Sequence, residues 1–221
     1  MIDLHTHTIL SDGELLPSEL ARRADEKGYK VIAFTDHVDF SNIDFVIPAL
    51  IRVCDKINLN FRIKAIPGVE ITHVNPIDIP NIAKISRNLG AKIVVVHGET
   101  IVEPVGKGTN KKALESDIDI LAHPGILSED EAKIAFERKI NIEISVRKGH
   151  SLSNGHIVRL WYEYGFPLIL NTDTHSPEDL ITDEIAKKII ISGGVKVEDV
   201  NKVFYNSYIL AKSKLDIGLE I

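Results

Sequence analysis

The chain has one cysteine, one methionine, one tryptophan and no glutamine among 221 residues. A lone Cys54 excludes an internal disulfide framework and fits a reducing compartment. Within IRVCDKI it reads as a buried structural thiol, not a nucleophile. No apolar run approaches the ~20 residues that a membrane helix needs. The first residues lack the basic-then-apolar order of a signal peptide, so a cytoplasmic protein with no membrane partner is expected. No basic run stands out, and a formal net charge of −6 argues against a nonspecific nucleic-acid coat. Isoleucine is abundant and lysine outnumbers arginine, a mix compatible with a thermophilic source. No repeat, low-complexity tract or linker divides the chain, so residues 1–221 are expected to form one domain.

What is present is an alternation. Short, β-branched apolar runs occur at 2–7, 31–37, 63–70, 92–99, 119–125, 141–146 and 167–175. Runs of that length, rich in Val and Ile, suit strands buried on both faces of a parallel sheet. Helix candidates lie between them, at 18–28, 43–58, 79–90, 110–117, 128–139, 154–165 and 183–194, with a last one near 198–215. Pro48 should fall near the first turn or at a kink, and Ser128 with Glu131 forms a capping-box pattern. Seven strand–helix alternations predict a closed or nearly closed β/α barrel, or else a doubly wound sheet.

The polar residues fall where such a fold would gather them. Each run ends in, or runs straight into, metal-capable or acidic groups: His5 and His7; Asp36 and His37; Glu70; His97 and Glu99; His123; Glu143; Asp173 and His175. The carboxyl ends of parallel strands share one face, so these groups should converge there. His5 and His7 alternate along a strand and can reach one ion. An HxH alone is weak, but Glu70, Asp173 and further strand-end histidines turn it into a metal-site expectation. Histidine and carboxylate without thiolate suit Zn, Mn or Fe.

The ordered motifs HTHTILSDG, TDH, GVE, VVVHGE, LAHPG and NTDTH resemble those of the PHP (polymerase and histidinol phosphatase) metallohydrolases, from residue 3 to about 176. The resemblance implies a distorted seven-stranded (β/α)7, TIM-like α/β barrel and two to three divalent ions. By it, His5, His7, Glu70 and Asp173 would hold one ion. Glu70 would bridge to a second, held by His97 and His123, while Asp12, His37 and His175 would hold a third. Asp12 can also be read as part of a simple SDG turn, and Asp36 as a group that orients a ligand or caps a helix.

The expected activity is that of a phosphoesterase. Its substrate would be a small phosphorylated metabolite, a histidinol-phosphate-like monoester or a nucleotide, with an oligonucleotide a further option. Three divalent ions and three carboxylates would leave a cationic pocket, and a water bridging the ions would be the nucleophile. In SVRKGHSLSNGH, Arg147, Lys148 and His150 could sit at the rim and hold phosphate, or they could lie in a solvated loop. His150 is a candidate to protonate the leaving oxygen, and Glu143 to orient a ligand or a substrate hydroxyl. His73 and His156 read as structural or exposed, and Trp161 and Tyr164 as helix packing. Two other functions fit the same residues: a C–N hydrolase of the amidohydrolase kind, and a noncatalytic metal-binding accessory domain.

Overall fold

Why do these runs form a barrel? Each is short, apolar on both faces and followed by a helix that returns the chain to the same end. In a computed structural model, which describes residues 1–215, they form β1 (Ile2–Thr6), β2 (Val31–Phe34), β3 (His37–Val38), β4 (Lys64–Ile71), β5 (Ile93–His97), β6 (Ile120–Ala122), β7 (Asn141–Ser145) and β8 (Leu168–Asn171). Neighbours run β1-β2-β4-β5-β6-β7-β8, all parallel, with β3 beside β4. The ring is drawn together where Asp173 N–H donates to the His5 carbonyl (3.0 Å) and His7 N–H to the Thr174 carbonyl (2.8 Å). The fold is the expected distorted seven-stave barrel. One stave is broken, because VIAFTDH, read as one run, splits into β2 and β3. At the break the Asp36 carboxylate accepts hydrogen bonds from Thr8 N–H and Ser11 Oγ, both at 2.8 Å.

The helices are α1 (Pro17–Glu26), α2 (Ile43–Asn60), α3 (Ile79–Leu89), α4 (Thr109–Leu114), α5 (Glu129–Arg138), α6 (Asn154–Tyr164), α7 (Asp183–Ser192) and α8 (Val200–Lys214). The capping box forms at α5: Glu131 N–H donates to Ser128 Oγ and Ser128 N–H to the Glu131 carboxylate. Pro48 lies inside α2, in its second turn. Among the described residues no helix is long and apolar enough to cross a membrane.

Apolar residues divide into two clusters. The larger lies between strands and helices, with Ile32, Phe34, Val69, Val94, Val96, Ile142 and Leu168 facing outward onto the helical layer. The smaller fills the barrel. Leu4, Val31, Ala33, Ile66, Ile93, Val95, Ile120, Ala122 and Ile169 pack there, and α8 adds Leu210 and Ala211.

Strand β1 solves a register problem between these clusters and the site. Asp3 pairs with Ile32 and Thr6 with Phe34, so Leu4 and His5 together stand against the single residue Ala33. That extra residue is a β-bulge, a device that re-aims side chains beside functional sites. It lets Leu4 join the apolar interior while His5 and His7 point into the mouth above it.

Candidate metal centre

The carboxyl ends of the staves deliver an inner group of ionisable side chains. His5 Nε2 lies 3.3 Å from Glu70 Oε1, and His7 Nε2 lies 3.2 Å from Asp173 Oδ1. His123 Nε2 lies 3.5 Å from Glu70 Oε1 and 3.8 Å from Asp173 Oδ2. His5, His7 and Glu70 are wholly shielded from solvent and Asp173 nearly so. Yet His5 Nε2, both His7 nitrogens and Glu70 Oε1 have no hydrogen-bond partner among the described residues. Orphaned polar atoms buried so deeply are costly unless a cation binds them. Two ligands at ~2.0–2.2 Å from one ion stand roughly 3.0–3.6 Å apart, close to the spacings seen here.

Tautomers point the same way. His5 Nδ1 lies 2.9 Å from Glu143 Oε2, which also accepts from Asn171 Nδ2 at 2.8 Å. The carboxylate accepts from Nδ1–H, so the neutral ring turns its Nε2 lone pair to the centre, the arrangement usual for a metal-ligating histidine. Glu143 therefore lies beneath the centre and orients His5. His97 Nδ1 donates to the Gly98 carbonyl at 3.1 Å, again leaving Nε2 with the lone pair. Burial would raise the pKa of Glu70, but the imidazoles of His5 and His37 outweigh it and hold the carboxyl well below its ordinary value. Burial, followed by the neighbouring His37, pushes His7 down to about 3.

A second group flanks the first. Asp12 Oδ1 lies 3.2 Å from His175 Nε2 and 3.4 Å from His37 Nε2, and His37 Nδ1 lies 2.8 Å from Glu70 Oε2. Asp12, read as either a ligand or a turn residue, is thus brought to two of its expected companions. Asp36 fixes the 8–12 loop that carries it, through Thr8 and Ser11.

The third group is wider than the sequence suggested. His97, His123 and His150 offer three ring nitrogens close enough to share one ion. Glu103 forms a neighbouring group with His73 and His97: Oε2 is 3.0 Å from His97 Nε2 and 3.3 Å from His73 Nε2, and Oε1 is 3.4 Å from His150 Nε2. With no ion bound and His97 protonated, its Nε2–H donates to Glu103 and holds that carboxyl down at about 2. Neither Glu103 nor His73 was singled out as functional from sequence. Both belong to loops after strands and not to strand ends; His73 is exposed, as expected, and its ring nonetheless reaches Glu103. Burial and then His123 press His150 down to about 4.

Backbone geometry is spent on these positions. Among non-glycine residues, His123 and Asp173 adopt positive φ values of 28° and 55°, conformations that cost of order 1–3 kcal/mol and cluster at functional sites. Gly98 has no room for a side chain, since a Cβ there would collide with the Ala122 carbonyl and Pro124. That close approach sets His97 beside His123.

Glu70, Asp173, Asp12, Glu103 and six of the histidines line a cavity of about 380 Å³ at the barrel mouth, together with Asp39, Ser41, Asn42 and Arg147. Arg147 reaches within 2.8 Å of His175 Nδ1 and 3.7 Å of Asp173 Oδ2. Lys148 is exposed and does not line the cavity. Eight of the nine histidines thus gather at one mouth. The ninth, His156, sits 2.7 Å from the Leu127 carbonyl. Trp161 and Tyr164 pack against the outer core.

The PHP domain profile matches residues 3–95, the stretch that contains HTHTILSDG, TDH and GVE. The chain belongs to the PHP domain family. This PHP domain is 47% identical to an uncharacterized protein of Methanocaldococcus jannaschii over 195 residues, 87% of this chain and 89% of the relative. It is 27% identical to a probable phosphatase of Proteus mirabilis over 206 residues, covering 81% of this chain and 80% of that one. Two solved structures share its fold. A chain of archaeal ribonuclease P, solved with mature tRNA, aligns at a TM-score of 0.75 with 17% identity, covering 99% of this chain and 97% of its own. Histidinol phosphate phosphatase of Lactococcus lactis, complexed with zinc, L-histidinol and phosphate, aligns at 0.61 with 16% identity, covering 88% and 94%.

Proposed function

We propose that this PHP domain is a metal-dependent phosphoesterase acting on a small phosphorylated metabolite, with residues 1–221 working as one catalytic domain. One observation carries the reading. Buried ligand atoms with no hydrogen-bond partner among the described residues face one another beneath a small cavity, and a guanidinium stands at its edge.

His5, His7, Glu70 and Asp173 would hold one ion, and Glu70, His97 and His123 a second. Asp12, His37 and His175 would hold a third, with Zn, Mn or Fe suited to the donors. Such ions would supply the charge that lowers the pKa of an attacking water and neutralises the phosphate.

The protein's own work is positioning. Glu143 and Asn171 fix the His5 tautomer, and Asp36 holds the Asp12 loop in reach of His175. Arg147, about one-third exposed, is placed to hold a phosphate oxygen as its fork of N–H donors approaches the cavity. His150 was a candidate acid, but an imidazole pressed to about 4 is neutral at pH 7. It suits ligation or acceptance better than proton donation. Lys148, off the cavity, has no role in this scheme. The alternative C–N hydrolase has no use for a third ligand group, so Asp12, His37 and His175 favour phosphate chemistry.

The similarity to a probable phosphatase and the fold shared with a histidinol phosphate phosphatase support the reading. A cavity of about 380 Å³ suits a metabolite-sized monoester. The test is a panel of phosphomonoesters, nucleotides and phosphodiesters offered to protein loaded with Zn, Mn or Fe. Phosphate release that stops on chelation is expected. Filled sites with no release, or release of ammonia or an amine from amide substrates, would overturn it.

A further inference from the structure

We propose that Glu103 is a tethered ligand for the ion at His97, filling the coordination position that a substrate phosphate oxygen takes. The inference rests on the metal reading given above and adds a self-competing group to it.

The chemistry of the His97–Glu103 contact is the starting point. His97 gives its Nδ1 proton to the Gly98 carbonyl, so in the neutral ring Nε2 presents a lone pair. Glu103 Oε2 lies 3.0 Å from that nitrogen. Two lone-pair atoms so close need a cation between them, either a proton or a metal. The spacing equals that of two ligands on one ion. It also matches the spacings of Glu70 to His5 and His123, at 3.3 and 3.5 Å.

The placement of the carboxylate is the second argument. Glu103 comes from the loop between β5 and α4 and not from a stave. The two ends of that loop are pinned: Glu99 Oε1 accepts from Gly108 N–H at 2.9 Å and from Asn110 N–H at 3.0 Å. Thr100 Oγ1 lies 2.7 Å from His150 Nδ1. The tip beyond Thr100 is different in character. Ile101 and Val102 are half exposed, and Glu103 itself is 38% exposed, whereas Glu70 is wholly buried. Its two oxygens sit among His73, His97 and His150, at the edge of the cavity that an incoming phosphate would enter. A buried carboxylate such as Glu70 is a permanent ligand. An exposed one on a loop tip can be exchanged for a stronger anion.

The experiment uses the full chain reconstituted with cobalt(II), comparing wild type, Glu103→Gln and Glu103→Ala. Metal content, the visible ligand-field spectrum and titration with inorganic phosphate are read for each. Expected are different spectra without phosphate that converge once phosphate saturates the site, because the carboxylate is then displaced. Both variants should bind phosphate about tenfold more tightly, or roughly 1.4 kcal/mol. Identical spectra before phosphate, or phosphate affinity unchanged or weakened in both variants, would overturn the role of Glu103. If wild type binds no cobalt, the underlying metal reading fails with it, and the two failures are told apart by the metal content. Circular dichroism confirms that each variant is folded, and agreement between Gln and Ala excludes residual ligation by the amide.

Discussion

The interior of the barrel has two halves that are equally dry and chemically opposite. In the lower half Val31, Ile66, Ile93, Val95, Ile120 and Ile169 fill the space with hydrocarbon. In the upper half His5, His7, Glu70 and Glu143 are just as shielded from water, yet every one carries a titratable group. Burial stabilises the first half and penalises the second. The same fold therefore holds a region that needs no help and one that needs cations.

Perturbing each half separately should separate these roles. The largest effect is expected from Glu70→Ala, which removes the carboxylate proposed to bridge two ions. Elemental analysis should show two ions lost and activity lower by at least about a thousandfold. Unchanged metal content would dissolve the distinction between the halves. Next is Ile66→Ala in the lower half, which should cost about 2–5 kcal/mol in denaturant titrations. Metal content should stay intact, and loss of ions would mean that the halves are not independent. Glu143→Gln lies at the boundary. It keeps the shape but weakens the acceptor for His5 Nδ1, so metal affinity or activity should drop roughly 10–100-fold.

The smallest effect concerns pH in chelated protein. Glu103 is held at about 2 by His97, below its ordinary 4.5, so its contribution is full above 4.5 and fades as pH falls. Burial lowers the pKa of His97, but Glu103 and Glu70 raise it above 6.5, so its contribution is full below 6.5 and fades as pH rises. The advantage of wild type over Glu103→Gln should peak between these two values. Melting curves in which that advantage kept growing above neutrality would contradict the pairing.

Much of this was legible because strands report their own ends. The β-branched runs located every stave, and the histidines and carboxylates closing those runs marked the mouth. The break between β2 and β3 was not legible, since VIAFTDH is continuously strand-like and the interruption depends on Thr8 and Ser11 reaching Asp36. The bulge at Leu4 and His5 was hidden for a related reason: alternation along β1 shows both faces but not the extra residue. Glu103 and His73 escaped because loop residues carry no periodicity. Glu99, ambiguous in sequence, proved to be the pin for the loop that brings Glu103 inward. Lys148 shows the converse, a basic residue in a promising motif whose side chain stays outside.

Because α8 contributes Leu210 and Ala211 to the barrel's hydrocarbon filling, the vessel is blind at its base. In the proposed hydrolysis, reactant, cations and products would then share the cavity at the mouth, the opening that the described residues leave above the site. Under that reading, released phosphate would compete with the next arrival for the same entrance.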